Sequence, residues 1–73
     1  MHQSEIAQLR EKISEEYEAM KRGLTGLAWG TAKHNFIDAR MKRVDHYREQ
    51  LVNYIGERDA DFVICDLYTN VMG

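Results

Sequence analysis

His34 and Asp38 stand four residues apart in "KHNFID". On a helix that spacing stacks an imidazole and a carboxylate on one face, where they can share a hydrogen bond or a cation. A helical hairpin turning at Gly23–Thr25 would set Glu15 beside His34 and Glu11 beside Asp38, with Glu18 on the same helix as Glu15. Carboxylates from one helix and His or Asp from the next are how metal sites are built inside bundles. The repeat that marks such sites is Glu-x-x-His, and "DHYRE" carries His46 and Glu49 in the reverse order. The expectation is therefore a solvated acidic edge paired with Arg and Lys. Glu15, Glu18, His34 and Asp38 are then the metal ligands of a lesser reading, and no cofactor is expected.

A second constellation is cationic and aromatic. Lys33, Phe36, Arg40, Arg43 and Tyr47 recur at steps of three and four. Cations interleaved with aromatics are what proteins use to track single-stranded nucleic acid. The chain carries 10 Lys and Arg against 12 Asp and Glu, a net charge of −2, which argues against a general polyanion binder. Nucleic acid is kept as an alternative partner. The preferred reading of Phe36, Arg40, Arg43, Tyr47 and Tyr54 is an interface with a second copy of the chain or with another protein, where Arg and Tyr contribute packing as well as polar contacts.

Part of the acid pattern resembles a known family. All-α nucleoside triphosphate pyrophosphohydrolases of the MazG type carry Glu-x-x-Glu on one helix and Glu-x-x-Asp on the next. "EEYE" supplies Glu15 and Glu18, and "NFID" supplies Asp38. The resemblance implies magnesium held by these acids and hydrolysis of a nucleotide. Asn35 stands where the second motif's first acid belongs, and an amide there removes one ligand from the set. A MazG-like hydrolase thus ranks behind a protein without catalysis.

The elements that must position these residues are helices. The chain has 73 residues and no proline, and Glu, Lys, Arg, Ala, Leu and Met favour helix throughout. The first helix is expected over about residues 4–22, capped by Ser4, with Ile6, Leu9, Ile13, Tyr17 and Met20 on one face and the glutamates elsewhere. Lys21 and Arg22 followed by Gly23 read as its stop. The second helix is expected over about residues 26–55. Leu27, Gly30, His34, Ile37, Met41, Val44, Arg48, Leu51 and Ile55 keep three-four steps over that range. On this reading Gly26 and Gly30 let a neighbouring helix approach closely. The rival start is Thr31, after a turn at Trp29–Gly30. Gly56 ends the second helix, and Asp59 caps a third over about residues 59–72.

A chain this short comes out near zero when apolar burial is set against about 1.5 kcal/mol of ordering entropy per residue. Cys65 is the single cysteine, so no disulfide supplements the core; in "FVIC" it reads as a buried, inert thiol in a reducing compartment. No stretch is apolar for the roughly 18 residues of a membrane span, and no apolar run marks a secretory signal. The expectation is one all-α domain over residues 1–73: an antiparallel helical hairpin with a long second helix, plus a short third helix. The stripe from Phe36 to Tyr54 leaves one side of the second helix uncovered, which predicts a homodimer or higher oligomer. The functional expectation is a cytoplasmic protein–protein interaction or regulatory module, not an enzyme, with no membrane partner.

Overall fold

The computed structural model describes residues 2–24 and 30–73. They form three helices: α1 (His2–Leu24), α2 (Thr31–Ile55) and α3 (Glu57–Met72). Each helix packs on the other two, and no strand occurs among the described residues.

The inward face of α1 is the one its spacing predicts. Leu9, Ile13, Tyr17 and Met20 are buried, at the three-four steps that keep side chains on one stripe. Glu5 lies in its first turn and Lys21 and Arg22 in its last, complementing the helix dipole at both ends. The expected stops do not operate. Ser4 and Gly23 both lie inside the helix, which continues to Leu24.

The glycines divide differently from the expectation. A Cβ on Gly23 would fall 2.6 Å from the ring of Phe36, so the bare backbone of Gly23 is where α1 and α2 come close. Gly30 has no such role. It precedes α2 with φ 68°, and among the described residues a Cβ there would meet nothing within 4 Å. A right-handed helix requires a negative φ, so Gly30 cannot be helical and α2 begins at Thr31, not at Gly26. Gly26, with Thr25, Leu27, Ala28 and Trp29, lies outside the described residues.

Only Gly56 separates α2 from α3, at φ 88°. Its N–H donates to the Val52 carbonyl at 2.9 Å, and its carbonyl accepts from the Ala60 N–H at 3.0 Å. One residue thus closes one helix and opens the next. Asp59, expected as the cap, sits in the first turn of α3 beside Glu57, where a carboxylate favours the dipole.

The core joins the four α1 residues to Val44 and Leu51 of α2 and to Ala60, Val63 and Leu67 of α3. Tyr17 meets Tyr68 edge-on, centroids 5.4 Å apart. With the inward face of α3 set by Ala60, Val63 and Leu67, a turn of 100° per residue sends Phe62 and Cys65 outward. Phe62 is 73% exposed. Cys65 is exposed too, correcting the expectation of a buried thiol. No helix among the described residues is long and apolar enough to cross a membrane.

Candidate functional site

Part of the stripe expected to face a partner makes contacts with α1. Glu16, a residue assigned by sequence to the solvated face, is only 5% exposed. One terminal nitrogen of Arg40 donates to both its carboxylate oxygens, at 3.0 and 3.1 Å. Arg43 approaches the same carboxylate at 3.5 Å. A carboxylate removed from water needs this kind of compensation, because a buried unpaired charge costs several kcal/mol, on the order of 3–5 when its partner is lost.

The neighbours follow the same pattern. The Arg40 guanidinium lies 5.1 Å from the centroid of Phe36, whose ring edge rests against Gly23. The Lys33 amine donates to the Leu24 carbonyl at 2.9 Å. Tyr47 is packed against the core, with the Lys12 amine 5.8 Å from its ring centroid. A hydrogen bond to Glu5 pushes the Tyr54 phenol up. Phe36, Arg40, Arg43, Tyr47 and Tyr54 therefore each make contacts within the chain, while Phe36, Arg43 and Tyr54 keep exposed surface. The stripe proposed for nucleic acid is engaged in the same way: Lys33, Phe36, Arg40, Arg43 and Tyr47 all have neighbours on α1.

The metal candidates are not brought together. Glu18 pairs with Arg22 at 3.8 Å, and Asp38 with Lys42 at 3.1 Å, one turn along its own helix. Glu15 and His34 are exposed. Among the described residues, no three His, Cys, Asp or Glu side chains are grouped to hold a cation. The physical reason is register. The salt bridge of Glu16 places Arg40 opposite it, and the Leu24–Lys33 contact fixes the helix ends, so Glu15 does not face His34.

A groove between α1 and α2 is assembled instead. It is lined by Lys12, Glu15, Glu16, Arg22, Arg40 and Arg43, with Tyr47 in its wall. Sequence reasoning found Arg40, Arg43 and Tyr47 and missed Lys12, Glu16 and Arg22. A signal for Glu16 was present: Leu9, Ile13, Glu16 and Met20 keep unbroken four-three-four steps, so Glu16 sits in the buried stripe of α1.

On the other flank of α2, Arg48 donates through Nε to Asp61 at 2.6 Å and lies 3.7 Å from Glu57. The bond to Arg48 holds the Asp61 carboxyl below its ordinary value. Arg48 was expected in the apolar seam. It is there, with its charged end answered by α3. Tyr17 lies deepest of the titrating groups: burial pushes its phenol up, with smaller contributions from Cys65, Asp45 and Tyr68.

No protein-family model matches the chain, and comparison with curated proteins and with solved structures gives no match.

Proposed function

We propose that the chain is a small helical interaction module without catalysis, working as a homo-oligomer in the cytoplasm, with α1 and α2 forming an antiparallel hairpin. Support for the hairpin comes from the order of contacts. Glu5 with Tyr54, Glu16 with Arg40 and Leu24 with Lys33 run forward along α1 and backward along α2.

Met41 carries the interaction reading. It holds a seam position between Ile37 and Val44, where the spacing demands burial, yet it is 40% exposed. Leu24 and Phe36 are also exposed near the same end of α2, and Ile37 is half-buried. An apolar stripe that outruns its own cover is the usual mark of a protein interface. Methionine suits such a surface, because its unbranched thioether adapts to the facing side chains. The proposed interface is thus the Met41 face of α2 with Ile37 beside it, not the flank of Phe36, Arg40, Arg43 and Tyr47 that lies toward α1. A second copy of the chain is the proposed occupant, since a chain of 73 residues has room for only a small core and oligomerisation is the common supplement.

Sedimentation equilibrium between about 10 and 500 μM tests this. The expected result is a mass above the 8.6 kDa of one chain, reduced toward one chain by Met41→Glu with helical circular dichroism retained. A single-chain mass at every concentration, with a cooperative thermal transition, would overturn the proposal. Dissociation by Phe62→Glu but not by Met41→Glu would move the interface to the outer face of α3 and overturn the surface assignment.

A further inference from the structure

The groove between α1 and α2 reverses the sign of the molecule. The chain carries −2 overall, while this groove sets four cations, Lys12, Arg22, Arg40 and Arg43, against the carboxylates of Glu15 and Glu16. A concave surface lined by a majority of one charge focuses potential and concentrates ligands of the opposite sign. The groove is open to solvent on one side, with a volume of about 440 Å3.

The four cations are not equivalent. Arg40 is committed to Glu16, one nitrogen reaching both oxygens. Arg22 pairs with Glu18 at 3.8 Å and stays largely in solvent. Arg43 spends one nitrogen on Glu16 at 3.5 Å and remains 61% exposed. A contact of that length is at the outer limit of a hydrogen bond, so most of the Arg43 donors stay accessible beside Glu16. Glu16 anchors Arg40 by the two shorter bonds.

We propose that this groove binds the phosphate group of a small phosphorylated ligand. Arg43 supplies the principal donors, and Lys12 and Arg22 supply the remaining charge. Guanidinium matches phosphate because its N–H groups lie in a fixed fork that two phosphate oxygens can accept together. The half-buried ring of Tyr47 in the groove wall offers a surface to whatever carries the phosphate. The inference is independent of oligomerisation, which is proposed for the Met41 face of α2.

The test titrates the full chain at low ionic strength with inorganic pyrophosphate and, separately, with adenosine triphosphate. Binding is followed by calorimetry and by the arginine Nε–H resonances. The expected result is saturable one-to-one binding that shifts the Arg43 resonance. Arg43→Gln, folded by circular dichroism, should weaken it about tenfold, the loss of one charge-assisted fork. Lys12→Gln should weaken it less, and Lys42→Gln, on the exposed face with Asp38, should leave it unchanged. Equal affinity for both probes supports recognition of phosphate alone; tighter nucleotide binding supports an added contact with Tyr47. Absence of saturable binding to the folded chain would overturn the proposal. So would equal weakening by Lys42→Gln, or binding confined to a single-stranded oligonucleotide with neither small probe competing.

Discussion

The two halves of α2 repeat the same spacing and meet different surroundings. In the C-terminal half, Val44 and Leu51 are buried, with α1 on one flank and α3 on the other. In the N-terminal half, Ile37 is half-buried while Met41 and His34 are exposed. The difference is one of cover. α2 has 25 residues and α3 has 16, so at 1.5 Å per residue α3 falls short of α2 by about 13 Å. Spacing specifies which side chains share a face, and the length of the neighbouring helices decides how much of that face leaves water. The polar contacts differ likewise: Arg48 ties the C-terminal half to α3 through Asp61, whereas Lys33 ties the N-terminal half to the last carbonyls of α1.

The largest expected effect sharpens this contrast directly. Leu51→Ala should destabilise the fold by about 2–5 kcal/mol, the cost of a cavity in an enclosed site. Met41→Ala should cost less than about 1 kcal/mol, because a partly exposed side chain leaves no closed void. Urea unfolding at one fixed protein concentration measures both. Comparable losses would mean that the N-terminal half is as well covered as the C-terminal half.

A middle-sized effect is expected at the entrance to α2. Gly30 adopts φ 68° and ψ −134°, a region open to glycine alone. Gly30→Ala and Gly30→Asn should each cost about 1–3 kcal/mol. Asparagine should bring no relief, because it tolerates positive φ near ψ +47° and not here. Gly30→Leu should cost about as much as Gly30→Ala, since the positive φ strains either side chain and, among the described residues, nothing stands within 4 Å of an added Cβ. Thermal melts rank the three variants. A much larger loss for Leu than for Ala would restore tight packing at this position.

The smallest effect concerns the pair that fastens α3. Asp61 has its folded pKa depressed by Arg48. The unfolded chain therefore binds a proton more readily, and the pair's contribution is present above the ordinary carboxylate value of about 3.9 and lost as pH falls through the lower folded value. Asp61→Asn should lower the melting temperature across the neutral range, where the pair contributes, and so flatten the acid limb, along which that contribution is already lost. An unchanged acid limb would show that Arg48 and Asp61 add nothing to the cover of the C-terminal half.

The sequence by itself determined that the described chain is helical, which face of α1 turns inward, and that Gly56 breaks the chain between α2 and α3. These are local matters: three-four spacing, the absence of proline, and the conformational freedom of one glycine. It did not determine the α1–α2 register, and the misplaced pairings between those two helices follow from that. Opposing Glu15 to His34 and opposing Glu16 to Arg40 are equally compatible with the spacing of charges. Tertiary packing selects the second, since Glu16 can leave water only with Arg40 and Arg43 beside it. The same packing gave residues of the Phe36–Tyr54 stripe contacts with α1, and it assigned close approach to Gly23, where the Phe36 ring needs the space of a missing side chain. Pairing across helices depends on which arrangement satisfies all buried groups at once, and that sum is formed only when the three helices meet.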